Sequence, residues 1–159
     1  MQIEALLEKK KTEKNTEKYL FVCTGNTCRS PMAAAVFNRL HANEGMLADS
    51  CGLSACQGSP MSQNARLALE GIGIFDTEHS SKPVSEELLY GADVIVGMTS
   101  THAARLMMAF PQYASKITVM PLEIEDPYGG DEEVYKLCLM QICAALDIGF
   151  DVNEDYEDN

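Results

Sequence analysis

Short unbroken apolar runs alternate along this chain with apolar residues spaced three and four apart. The run Tyr19–Val22 ends at Cys23 and predicts a short buried strand. From Ser30 to about Glu44, Met32, Val36, Phe37 and Leu40 recur at core-facing helical spacing, and Gly45 closes the segment. A short strand follows within Met46 to Gly52. Ser62 is the expected N-cap of a helix from Gln63 to about Glu70, with Ala65, Leu67 and Leu69 inside it and Gly71 and Gly73 after it. Ser85 opens a brief helix. Ala92–Met98 is a continuous apolar run of the kind buried on both faces of a parallel sheet. Thr99-Ser100 starts a helix holding Ala103, Leu106, Met107 and Phe110, stopped by Pro111; its methionines read as core. Ile117–Met120 is a fourth strand. Asp131 to about Asp147 is the last helix, with Val134, Leu137, Cys138, Ile142, Ala145 and Leu146 as apolar positions and an acidic first turn. This alternation predicts an α/β fold: a four-stranded parallel sheet with helices on both faces and a functional loop after strand one.

At 159 residues the chain makes one domain. The expected division is a flexible polar extension over residues 1–18, a domain over 19–147 and an acidic tail over 148–159. Within the extension, Ile3, Leu6 and Leu7 allow one amphipathic turn. No apolar run reaches the ~20 residues of a membrane span, and no export signal is visible. A cytoplasmic protein without membrane contact is the expectation. Six cysteines, at 23, 28, 51, 56, 138 and 143, are better read as free thiols than as a disulfide framework, and no C-x2-C pair suggests zinc. The net charge of −12 disfavours nucleic-acid binding. Much of the acid lies in 123–133 and 147–158. It is either a solvated surface or a rim that prefers basic segments of a protein substrate.

The chemistry concentrates in Cys23-Thr24-Gly25-Asn26-Thr27-Cys28-Arg29-Ser30-Pro31. Ser30-Pro31 reads as an N-cap followed by proline in the first turn. The stretch is therefore strand, five-residue loop, helix. Gly25 and Asn26 tolerate the positive φ of a tight anion nest, and the helix start adds its positive dipole end. Arg29 can grip two phosphate oxygens with its planar fork. The same positive surroundings favour Cys23 as a thiolate, a nucleophile aimed at phosphorus. No Gly-Lys-Ser/Thr follows, so this is not a nucleotide-type phosphate loop.

The run CTGNTCRSPMA, with Asp126-Pro127 about a hundred residues later, resembles the low-molecular-weight protein tyrosine phosphatases from Tyr19 to about Leu146. It is closest in kind to the bacterial branch that includes protein arginine phosphatases, because Thr27 stands where tyrosine phosphatases usually carry an apolar residue. The resemblance implies a phosphorylated protein as substrate and no cofactor or metal. It implies Cys23 as nucleophile, Arg29 and the amides of 24–30 as phosphate cradle, and Asp126 as general acid and then base. Ser30 would donate to the cysteine sulfur. Ser50, in Ser50-Cys51-Gly52, would hold Asn26, and His79 would support the loop. Without the resemblance, Ser50 is equally a strand-end serine and His79 a surface histidine. Tyr128 would wall the mouth. Residues 53–61, which often supply an aromatic wall in the family, hold none here. Cys28 would form a reversible, protective disulfide with Cys23, or is simply a buried loop cysteine. Thr27 tilts the expected substrate towards phosphoarginine over phosphotyrosine. Two readings from other classes are arsenate reductase, disfavoured because no cysteine lies between Cys56 and Cys138, and an idle phosphoprotein-binding module, disfavoured because Cys23 and Asp126 are both present. Oligomeric state is not legible in the sequence.

Overall fold

A computed structural model describes residues 2–6, 16–75 and 77–150. Four parallel strands form the sheet: β1 (Glu17–Cys23), β2 (Met46–Gly52), β3 (Val94–Gly97) and β4 (Ile117–Val119), in the order β2-β1-β3-β4. Phe21 pairs in register with Ser50 on one side and Val96 on the other. The chain leaves β1 towards β2, then returns to add β3 on β1's other side. The C-terminal end of β1 is thus the switch point of the sheet, where the crevice of an open α/β fold lies.

Alternation along β1 sorts its side chains into two cores. Tyr19, Phe21 and Cys23 face α1 (Arg29–Leu40), α2 (Gln63–Gly71) and α5 (Glu132–Ile148), where Met32, Phe37, Leu69 and Ile142 close the larger core. Leu20 and Val22 face α3 (Glu86–Gly91) and α4 (Ser100–Ala109), packing with Leu89, Ile95 and Leu106. Each such buried side chain contributes roughly 1.5–3 kcal/mol.

Several expectations need correcting. β1 begins at Glu17, so residues 17–18 belong to the sheet; Lys18 N donates to Asp93 Oδ2 at 2.8 Å. Residues 2–6 are an exposed helical turn, and the rest of the expected extension, 1 and 7–15, lies outside the described residues, as does the tail over 151–159. Phe150 packs against Tyr19 and Phe21 instead of belonging to a tail. α1 stops at Leu40, four residues early: His41 packs on Phe37 with ring centroids 4.5 Å apart, and Asn43 and Gly45 take positive φ. Leu40 is exposed. In α4 the buried stripe is His102, Ala103 and Leu106, which rotates Met107 and Met108 outward. In α5 the stripe is Tyr135, Cys138, Leu139, Ile142, Ala145 and Leu146. Val134 and Leu137 each precede a stripe position by one residue, a turn of about 100° out of the core. Pro111 does stop α4, and it opens a 3-10 turn over Pro111–Lys116.

Candidate active site

Ser30 is not the N-cap. The cap position is Cys28, which makes no side-chain cap bond, and the helix starts at Arg29. Ser30 sits inside the first turn because its hydroxyl is used elsewhere: Oγ lies 2.9 Å from Cys23 Sγ and 3.3 Å from the Cys51 carbonyl. Pro31 remains in the first turn, where its missing N–H costs nothing.

The loop carbonyls are engaged from outside. Cys23 O accepts from Leu53 N, Thr24 O from Ser54 N, Thr27 O from Ser62 N and Cys28 O from Met32 N, all at 2.9–3.1 Å. Asn26 O accepts from His79 Nε2 at 2.6 Å. A trans peptide points its N–H opposite its C=O. The amides of 24, 25, 27, 28 and 29 therefore point away from these carbonyl partners, an arrangement that can hold an anion at the N-terminus of α1.

Asn26 locks this shape. It is fully buried with φ 56°. Its Nδ2 donates to Ser30 Oγ and Ser50 Oγ, each at 2.9 Å, and its Oδ1 accepts from Lys82 N at 3.0 Å. Gly52 ends β2 beneath the loop; a Cβ there would stand 2.5 Å from Thr24 O and 3.0 Å from Asn26 N.

Arg29 is buried, and its Nη1 donates to Ile124 O at 3.1 Å. Nη2 lies 3.6 Å from Asp126 Oδ2. Arg29 thus ties the loop to the segment carrying Asp126. That carboxylate is half-exposed, and its Oδ1 accepts from Tyr128 N at 3.1 Å, which fixes the turn. Tyr128 is 84% exposed beside it. Thr27 is half-buried, with Oγ1 3.7 Å from Cys28 Sγ. Cys28 is a free thiol, as is Cys23; its sulfur lies 3.3 Å from Tyr135 Oη and donates to Ser62 Oγ at 3.5 Å.

Cys23, Asn26, Ser30, Ser50 and His79 are joined by hydrogen bonds at the end of β1 and in its loop, Asp126 reaches Arg29 at the start of α1, and Tyr128 follows Asp126 in an exposed position. Three further residues were not foreseen. Tyr135 backs Cys28, and burial together with the Cys28 contact pushes its hydroxyl up to about 12. Ser81 is buried and bridges Cys56 O and Ser59 N, which shapes the loop beside the site. His102 lies against Thr24; burial and the nearby Arg29 and Arg105 lower its pKa to about 4. Their partners come from segments far away in sequence, and only the Thr99-to-His102 helix start gave a local sign. Among the described residues no group of three or more His, Cys, Asp or Glu side chains is placed to hold a metal ion.

Residues 18–148 match the family described as low molecular weight phosphotyrosine protein phosphatase. This chain belongs to that family. A protein-arginine-phosphatase of Geobacillus stearothermophilus is 34% identical over 137 residues, covering 82% of this chain and 91% of that protein. A low molecular weight protein-tyrosine-phosphatase of Staphylococcus epidermidis is 30% identical, covering 82% and 94%. Among solved structures, a low molecular weight protein tyrosine phosphatase from T. tengcongensis superposes with a TM-score of 0.78 at 39% identity, covering 82% of this chain and 95% of that one. As a member of this family the chain is a cysteine-dependent protein phosphatase, with the four-stranded parallel sheet and strand-one loop that this family shares.

Proposed function

We propose that this phosphatase acts on phosphoarginine in proteins, with Cys23 as nucleophile, Arg29 and the loop amides as phosphate cradle and Asp126 as proton donor. The observation that carries the substrate choice is Thr27: a half-buried hydroxyl in mid-loop, with Oγ1 3.7 Å from Cys28 Sγ, stands where an apolar side chain would offer no hydrogen-bonding group. The arginine phosphatase relative adds support, although relatives of both specificities are similar to this chain.

In the first step the Cys23 thiolate attacks phosphorus and the P–N bond breaks. The departing guanidine nitrogen takes a proton from Asp126, and the phosphoryl group is left on sulfur. Arg29 and the loop amides hold the three equatorial oxygens as charge develops. In the second step Asp126, now a carboxylate, takes a proton from water. The water oxygen attacks phosphorus, the P–S bond breaks, and phosphate leaves. Ser30, 2.9 Å from Sγ, stabilises the sulfur as it departs. An acidic neighbourhood of Glu123, Glu125 and Asp126 suits a guanidinium product.

The same reading includes a reducing, cytoplasmic setting, supported by six free thiols. It also includes Cys28 as the thiol that captures Cys23 on oxidation: peroxide treatment should join the two and silence the enzyme reversibly.

Phosphate release from matched phosphoarginine and phosphotyrosine peptides tests the substrate, with Cys23→Ser as blank. Preference for phosphoarginine that Thr27→Ile reverses is the expected result. Preference for phosphotyrosine in the unaltered protein would reject the arginine reading and leave the phosphatase chemistry standing.

A further inference from the structure

His102 makes no contact with Asn26 or Arg29 among the hydrogen bonds that shape the loop, yet it is buried against the loop's first residue. Its Nδ1 lies 2.8 Å from Thr99 Oγ1 and its Nε2 lies 3.0 Å from Thr24 Oγ1. Thr24 follows the nucleophile directly, and it is exposed while Cys23 beside it is buried.

A neutral imidazole carries one N–H, and its position decides the direction of the whole chain of hydrogen bonds. Thr99 Oγ1 already accepts the backbone N–H of His102 at 3.3 Å, as the cap of α4. Were the proton on Nδ1, this oxygen would take two donors and its own hydrogen would need another acceptor. With the proton on Nε2, Thr99 donates to Nδ1 and Nε2–H donates to Thr24 Oγ1. Either arrangement leaves one hydroxyl hydrogen over, on Thr99 in the first and on Thr24 in the second; Thr24 is exposed and Thr99 half-buried, so the second leaves that hydrogen where solvent or a ligand can accept it. The hydroxyl hydrogen of Thr24 is thereby turned away from the ring and left free on an exposed residue that adjoins Cys23. Burial, Arg29 and Arg105 keep the ring neutral, against Asp126 and Glu123, so this arrangement holds at ordinary pH.

We infer that Thr24 is a substrate-binding residue whose hydroxyl donates to an oxygen of the bound phosphoryl group, and that His102 is the positioning residue that aims it. The inference rests on the Cys23 loop being the phosphate site. It adds a side-chain donor to a cradle otherwise made of Arg29 and backbone amides.

Calorimetric affinity for inorganic phosphate is the test, because it needs no turnover. Thr24→Val should weaken phosphate about tenfold, the size of one directed hydrogen bond to an anion. His102→Leu should weaken it nearly as much, and the Thr24→Val/His102→Leu double variant no further, since both remove one interaction. His102→Gln, whose amide N–H reaches towards the place of Nε2, should restore most of the loss; a residue that merely packs the helix would not be rescued in affinity by that change. If His102→Leu fails to fold, the Thr24→Val and His102→Gln values decide. Unchanged affinity in Thr24→Val, additive losses in the double variant, or affinity in His102→Gln as poor as in Thr24→Val would each overturn the inference. If the unaltered protein binds no phosphate, the reading of the loop itself falls, a result distinct from any of these.

Discussion

Asn26 carries more of this site's geometry than any other single side chain. It is fully buried, left-handed at φ 56°, and bonded through its side-chain amide and its backbone carbonyl to Ser30, Ser50, Lys82 and His79. Asn26→Ala would strand several buried partners at once, so we expect a loss of about 3 kcal/mol in urea unfolding, together with loss of phosphate affinity. Ser50→Ala removes one partner and should cost about 1 kcal/mol. Asp126 stands in a different position: it is half-exposed, and its long contact to Arg29 and its bond from Tyr128 N are solvent-screened, so Asp126→Asn should cost no more than about 1 kcal/mol in unfolding. Its effect belongs in turnover, where kcat should fall by about 10²–10⁴ for a poor leaving group and far less for a good one. His102 gives a pH signature. Its folded pKa of about 4 is below its ordinary 6.5, so the unfolded chain binds more protons between those values. The stability it contributes is complete above about 6.5 and is lost as pH falls towards 4. Unfolding of His102→Gln should show a flatter pH dependence across that window.

At the scale of elements, β1 and α1 divide the labour: one delivers Cys23 buried at its end, the other presents its N-terminus and Arg29. The strand and helix sequence was legible because apolar runs and 3.6-residue spacing report burial directly. The ends of elements were not, because tertiary partners move them. Ser30 looks like a cap by type, yet its hydroxyl is taken by sulfur and by Asn26, and the helix begins one residue earlier without a capping side chain. Val134, Leu137, Met107 and Met108 are apolar but exposed, since a list of apolar residues does not say which stripe faces the sheet. The loop residues were legible as a contiguous motif. Tyr135, Ser81 and His102 were not, because their roles depend on contacts across the fold. The start of α5 offers a clean test of local chemistry. Asp131 Oδ1 accepts from Val134 N at 3.0 Å, so Asp131→Ala should cost about 1 kcal/mol and lower Tm by ~2–4 °C, readable by thermal scanning.

At the scale of the whole molecule, a net charge of −12 surrounds the loop proposed to hold a phosphate dianion. The two are compatible because Arg29 and the amides act at contact distance, whereas the surface acts over a Debye length. The surface field should therefore select what accompanies the phosphoryl group. A phosphopeptide flanked by lysine or arginine should lose kcat/KM as ionic strength rises from about 10 to about 150 mM, where screening shortens from ~30 to ~8 Å. A small anionic aryl phosphate should gain slightly. Equal responses would leave the acidic surface without a part in recognition. All of this presupposes that Cys23 takes the phosphoryl group onto its sulfur. The most direct measurement is rapid acid quenching during turnover of a phosphorylated peptide, followed by mass spectrometry of the fragment that contains Cys23. A phosphoryl group on Cys23, absent from Cys23→Ser, is the predicted result. Steady phosphate release with Cys23 never modified, or with Cys23→Ser still active, would contradict it.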